Sequence, residues 1–250
     1  MTNISLEERI EYPIDSGHIA IIGEGRRYPA YWAHPRIGGK FSGIALLHDW
    51  WGMANWVRMM ANFFAMRGYY VIAPDLFHEQ TASTPKEAMA LIEKTKDTRY
   101  EGLDATLTVL ETHNRTNRKV AAVGVGMGGT LAYEAALKRT DLEAAVSYAG
   151  FPQAYMGQFK TCNTPILAFY GEKEPYTKPI VIETMRQELL QSPVKDRSHV
   201  EIVPNVGHDI FHDQMSIDEL DVARQLYLKT QNFLKNFLIP PTEPHKKTVI

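Results

Sequence analysis

The sequence predicts an α/β protein with a mostly parallel central sheet and helices on both faces. Three observations lead there. Short apolar runs alternate with amphipathic helical stretches almost to the end of the 250-residue chain. The runs are continuous rather than alternating, as strands buried on both faces are. The chemically rich residues recur directly after these runs, at the strand ends where ligands bind in open α/β sheets. Such a β-α-β rhythm makes neighbouring strands parallel and covers both faces with helices.

Each element has a local reason. Tyr28–His34 reads as an antiparallel strand entering the sheet, and Ser42–His48 as a buried strand. Ala54–Arg67 is amphipathic and closes at Gly68, a natural residue just past a helix end. Tyr69–Ala73 is the next strand, stopped by Pro74. Thr84-Pro85 caps and starts a helix, with proline at its preferred first position. Helical character continues to about His113, with a break expected near Gly102. Val120–Gly124 is a strand, Met127–Lys138 a helix and Ala144–Tyr148 a strand. Ile166–Tyr170, a helix near Pro179–Leu190, the strand His199–Val203 and a long helix from Ile217 to Leu238 complete the pattern. No repeat or linker interrupts it, so one domain over residues 1–250 is expected. Residues 240–250, with the proline-rich run Pro240–Lys247, are expected to form a mobile tail.

Composition excludes several function classes. The chain is 44% hydrophobic with a formal net charge of −2, which offers nothing to a nucleic-acid polyanion or an anionic membrane. No apolar run is long enough to span a bilayer. The first residues, Met1–Arg9, lack a basic segment followed by an apolar core, so no signal peptide is expected. A single cysteine, Cys162, precludes an intramolecular disulfide and fits a reducing compartment. A cytoplasmic location is the resulting expectation. No His/Cys/Asp spacing resembles a metal site, and no cofactor is expected.

The centre of the functional reading is a glycine. Gly124-Val-Gly126-Met-Gly128 lies between a strand and a helix, the setting of the nucleophile elbow G-x-S/C-x-G. The elbow lifts one reactive side chain above the sheet, and here its central position, Gly126, has none. His48-Asp49-Trp50-Trp51-Gly52, Asp75-Leu-Phe77-His78, Gly171-Glu-Lys-Glu174 and Gly207-His208 all follow other predicted strands.

In chain order, His48-Asp-Trp-Trp-Gly52, Gly68-Tyr-Tyr-Val-Ile-Ala-Pro-Asp-Leu76, the elbow, Phe169-Tyr-Gly-Glu-Lys-Glu174 and Gly207-His208 resemble the dienelactone hydrolases of the α/β-hydrolase fold, over roughly residues 10 to 238. The resemblance implies a triad in which the nucleophile falls on Gly126, the acid on Glu174 and the base on His208. Glutamate there departs from the family's aspartate, although glutamate serves elsewhere in the fold. The family's glutamate that touches the nucleophile falls on Asp49. The oxyanion donors fall on the backbone amides of Trp50 and Met127. Trp51, Phe77 and His78 are expected to contact substrate. The family's carboxylate-binding arginine has no counterpart, because Phe77, His78 and Glu79 occupy that stretch.

The expected partner is a small ester or lactone, hydrolysed weakly or through a water activated by His208 and Glu174, with Asp49 as a second base. Asp49 is equally readable as a cap for the following helix. A second hypothesis is a non-catalytic small-molecule binding protein on the same scaffold. A third is dinucleotide binding, since Gly124, Gly126 and Gly129 also fit G-x-G-x-x-G. That fingerprint belongs to the first strand–helix turn of a sheet, and several such turns come earlier here. Cys162 reads as a loop residue at the opposite sheet edge, Ser147 as a buried strand residue, Trp56 as core and His212 as a solvated loop residue. The sequence does not give the oligomeric state.

Overall fold

The computed structural model describes residues 11–238. The N-terminal stretch and the expected tail from residue 240 lie outside the described residues. Eight strands form one sheet, β1 (Ile14–Gly23), β2 (Arg26–Pro35), β3 (Phe41–Leu47), β4 (Tyr69–Pro74), β5 (Thr116–Val125), β6 (Ala144–Tyr148), β7 (Ile166–Gly171) and β8 (His199–Val203). Their order across the sheet is β1-β2-β4-β3-β5-β6-β7-β8. β2 runs antiparallel to both β1 and β4, and all other pairs are parallel. Among the described residues, six α-helices accompany them: α1 (Asn55–Met66), α2 (Pro85–Thr95), α3 (Arg99–Thr112), α4 (Met127–Lys138), α5 (Pro179–Gln191) and α6 (Ile217–Lys235).

Strands β3, β4, β6 and β7 are buried along their whole length, as their unbroken apolar runs require. Alternate residues feed two cores. Phe41, Ala45 and Leu47 of β3 join the core under α3, α4 and α5. Ile44 and Leu46 join the other, which collects Trp56, Met60 and Phe64 of α1 with Leu226 and Phe233 of α6. Trp56 is 2% exposed and stacks on Phe211.

The antiparallel strand expected at Tyr28–His34 is present within β2, and one other expectation is corrected. The strand at Tyr28–His34 is the second arm of a hairpin whose first arm, β1, carries a polar-to-apolar mixture without clean alternation. Its two-residue turn, Glu24-Gly25, has φ of 44° and 81°, the positive values that match the twist of paired strands. The helical stretch after Pro85 breaks at residues 96–98 rather than at Gly102, which lies inside α3. A Cβ on Gly102 would lie 2.8 Å from the Tyr28 ring and 2.9 Å from Leu76. Gly102 therefore serves close packing, and the break is pinned by Tyr28, whose hydroxyl donates to the Thr98 carbonyl at 3.0 Å. Thr84 caps α2 as expected, accepting from the Glu87 amide. No described helix is long and apolar enough to cross a membrane.

Candidate active site

The turn from β5 into α4 holds Gly126 at φ 52° and ψ −112°, where side chains are strained. Its amide donates to the Tyr148 carbonyl at 2.8 Å, and its carbonyl accepts from the Thr130 amide and hydroxyl. Close packing fixes the turn. A Cβ on Gly124 would lie 2.1 Å from the Gly128 carbonyl oxygen, and one on Gly128 would lie 2.5 Å from that of Leu47. A Cβ on Gly129 would meet the buried Ser147 hydroxyl at 2.6 Å. Gly126 differs from these three. A Cβ there would point into the site, 3.6 Å from Asp49 Cβ and 3.7 Å from His208 Nε2, at ordinary contact distance.

His208 and Glu174 come together across two loops. His208 Nδ1 lies 2.7 Å from Glu174 Oε2. The carboxylate only accepts, so Nδ1 carries the proton and Nε2 presents a lone pair toward Gly126. Glu174 Oε1 accepts from the amides of Tyr176 at 2.8 Å and Thr177 at 3.3 Å. Burial acts to raise the Glu174 carboxyl, but the His208 contact and these two amides outweigh it and hold it below the usual range. Phe151 and Tyr176 flank the His208 ring, with centroids at 5.3 and 4.9 Å. The His208 loop itself is tied down. Asp213 accepts from the Trp56 amide at 2.7 Å and the Asn55 amide at 3.3 Å, capping α1 from a distant segment. Gly171 lets β7 approach the same loop, because a Cβ there would lie 2.3 Å from the Val206 and Gly207 carbonyl oxygens.

Asp49 is 5% exposed, and its Oδ1 accepts from the Trp51 amide at 2.8 Å. Burial pushes its carboxyl up to about 7. It faces the elbow and does not cap α1, whose first turn belongs to Asp213. His48, fully buried, orders this segment. Its Nε2 accepts from the Leu76 amide at 3.0 Å, so Nδ1 is the donor, to the Asp49 carbonyl at 2.6 Å. Burial lowers its pKa and keeps it neutral.

A pocket of about 250 Å³ opens over Gly126. Trp50, Met127, Phe151, Tyr176 and His208 line it, with Met89 and Ile92 of α2 above. Among the expected substrate contacts, Trp51, Phe77 and His78 do not line it. Trp51 faces a neighbouring groove with Trp56 and His212. Phe77 is fully buried against His48. His78, at φ 53°, turns its ring onto Tyr28, 5.2 Å away. The lining residues missed by the sequence reading are Met89, Ile92, Phe151 and Tyr176. Phe151, past the end of β6, and Tyr176, past the end of β7, stood where a strand-end rule finds them, and Met89 and Ile92 of α2 did not. Cys162 is buried before β7, against the Ala136 and Thr164 carbonyls, at the far edge of the sheet.

No His/Cys/Asp/Glu group among the described residues has the form of a metal site. Two of the glycines that mimic a dinucleotide fingerprint, Gly124 and Gly129, are accounted for by the packing of the turn, which follows β5 rather than the first strand of the sheet. β6, the next strand, ends in Ser147-Tyr148 and offers no ribose-binding acid.

A model of the "Dienelactone hydrolase family" matches residues 28–238. Among curated proteins, Protein usf of Aquifex pyrophilus is 25% identical over 225 residues, covering 86% of this chain and 95% of the relative. A protein of Escherichia coli K12 described as "Putative carboxymethylenebutenolidase" is 25% identical over 211 residues, covering 78% and 77%. Among solved structures, the dienelactone hydrolase-like promiscuous phosphotriesterase P91, from metagenomic libraries, superposes with a TM-score of 0.77 at 16% identity, covering 90% and 99%. The "Putative Dienelactone Hydrolase" of Klebsiella pneumoniae gives 0.73 at 22% identity, covering 87% and 98%. These structural likenesses establish the α/β-hydrolase fold.

Proposed function

The chain belongs to the dienelactone hydrolase family, and from that premise we propose that it binds a small ester or lactone over Gly126 and hydrolyses it weakly, without a covalent intermediate. One observation carries the reading. A side chain placed at Gly126 would sit 3.7 Å from His208 Nε2, so base, orienter and elbow stand in register and only the nucleophile is missing.

In this reading the substrate carbonyl oxygen lies against the amides of Trp50 and Met127, the latter in the first turn of α4, where helix amides point outward. His208 Nε2 takes a proton from a water molecule as the water oxygen bonds to the carbonyl carbon. The tetrahedral oxyanion is held by the two amides. The carbon–oxygen bond to the leaving group then breaks, and the leaving oxygen recovers the proton from His208, giving an acid and an alcohol. Glu174 keeps the imidazole in the required tautomer and stabilises its cation. Asp49, pushed up to about 7, is placed to share the proton near neutral pH. Enzymes stripped of a triad retain roughly 10³–10⁴-fold acceleration over water, and that is the scale expected here.

The test is to supply what is missing. Gly126→Ser and Gly126→Cys should hydrolyse p-nitrophenyl acetate at least about 100-fold faster than the parent chain, since a positioned nucleophile and base act as a unit. Mass spectrometry should find the acyl group on the elbow peptide. His208→Ala in the same background should abolish both. If Gly126→Ser folds yet shows no gain and no acyl-enzyme, the chain is a binding protein on a hydrolase scaffold.

A further inference from the structure

Arg99 opens α3 half-buried, in an arrangement unfavourable on three counts. A cation in the first turn opposes the positive end of the helix dipole. Its Nε is buried with no hydrogen-bond partner. One of its Nη groups donates to Met127 Sδ at 2.9 Å, and a thioether is a weak acceptor. Glu134 and Glu93 act on the guanidinium only through space. The Glu134 oxygens are already engaged by Lys138 and Tyr155. Arg99 thus keeps an unmet capacity to bind an anion.

Met127 stands between that guanidinium and the pocket. Its sulfur accepts from Arg99, and the residue lines the cavity together with Trp50 and Ile92. The lining holds no charged side chain besides the ionisable His208. We propose that Met127 determines the charge selectivity of the site: its apolar side chain screens Arg99, so the pocket takes a neutral, apolar ester or lactone and rejects one bearing a carboxylate. This rests on the pocket over Gly126 being the substrate site. Met127 contributes to the proposed chemistry through its backbone amide, which side-chain substitution retains, so selectivity and chemistry are separable.

Isothermal titration of the whole chain with phenylacetamide and phenylacetate, matched in shape and different in charge, tests the screen. The parent chain should bind phenylacetamide at least about tenfold tighter. Met127→Leu, still apolar and of similar volume, should keep that preference. Met127→Ala should raise phenylacetate affinity at least tenfold and reverse the order, and adding Arg99→Gln should cancel the gain. Arg99→Gln alone should leave both affinities within twofold, because a screened guanidinium contributes to neither; this arm needs no cavity-forming substitution. An unshifted preference in Met127→Ala, a gain that survives Arg99→Gln, or a large loss of phenylacetate binding in Arg99→Gln alone would each overturn the screen and leave the pocket standing. Failure of both ligands to bind any variant would remove the pocket reading, and the screen with it.

Discussion

Two carboxyls in the site are driven in opposite directions by their surroundings. Asp49 is raised to about 7 by burial, while amide and imidazole contacts hold Glu174 low. The sign for Asp49 follows from its raised value: its contribution to stability is fully present below about pH 4 and is lost as pH rises through about 7. An asparagine in its place is neutral throughout and still accepts from the Trp51 amide. Asp49→Asn should therefore match the parent near pH 4 and exceed it by up to about 4 kcal/mol at pH 8, measured by urea unfolding across that range. An advantage that does not grow with pH would place the burial effect elsewhere. The glycines offer a second contrast. Gly126→Ser should cost only about 1–3 kcal/mol, for a side chain at positive φ. Gly124→Ala and Gly128→Ala should prevent folding, since their Cβ atoms would meet backbone at 2.1 and 2.5 Å. Sequence order led to Glu174, His208 and Gly126, which the fold brings together, because each follows a strand. The same rule misplaced Phe77 and His78, whose side chains are aimed by loop dihedrals such as the φ of 53° at His78 that no pattern of residue types encodes.

Between elements, the His208 loop and α1 share one residue. Asp213 caps α1 from 157 positions away in the chain, so the loop that carries His208 is held by a helix end. Asp213→Ala should cost about 0.5–2 kcal/mol, as other helix-cap deletions do. In the Gly126→Ser background it should also lower kcat through misplacement of His208, with Asp213→Asn restoring most of both. Unfolding curves and steady-state rates read the two effects separately, and an unchanged kcat would show that the cap serves stability alone. Gly102 gives a test of sign within α3. Glycine to alanine inside a helix ordinarily stabilises by about 1 kcal/mol. Here the added carbon would meet Tyr28 at 2.8 Å, and Gly102→Ala should instead destabilise by about 1–3 kcal/mol in urea unfolding. The element boundaries that were legible, such as those of β4, have punctuation on both sides, here Gly68 and Pro74. β1 was not, because an edge strand mixing Asp15, Ser16 and His18 with exposed Ile22 has neither alternation nor a continuous apolar run.

At the scale of the molecule, the sheet separates chemistry from packing: the pocket lies beyond the C-terminal ends of the strands and the single cysteine lies beyond their N-terminal ends. That separation was visible in the sequence, since the polar and aromatic residues all fell after the predicted strands. The wall contributed by α2 was not, because Met89 and Ile92 reach the pocket only through the tertiary placement of that helix. The same separation makes Cys162 a reporter on the whole fold. It is 2% exposed, its sulfur contacts two backbone carbonyls, and burial pushes its thiol up, so the folded chain presents no reactive thiolate. Iodoacetamide should leave the native protein unmodified at Cys162 and label it only through global opening. Any ligand that binds the distant pocket should then protect it through stability alone, by about 2.7 kcal/mol, or roughly 100-fold in labelling rate, at 100 times its dissociation constant. Phenylacetamide at that excess, with labelling followed by mass spectrometry in moderate urea, checks the prediction. A labelling rate that rises with urea and falls with ligand means one cooperative unit joins the two sheet edges. A rate indifferent to ligand means that the edge near Cys162 opens locally and the two ends of the sheet are energetically independent.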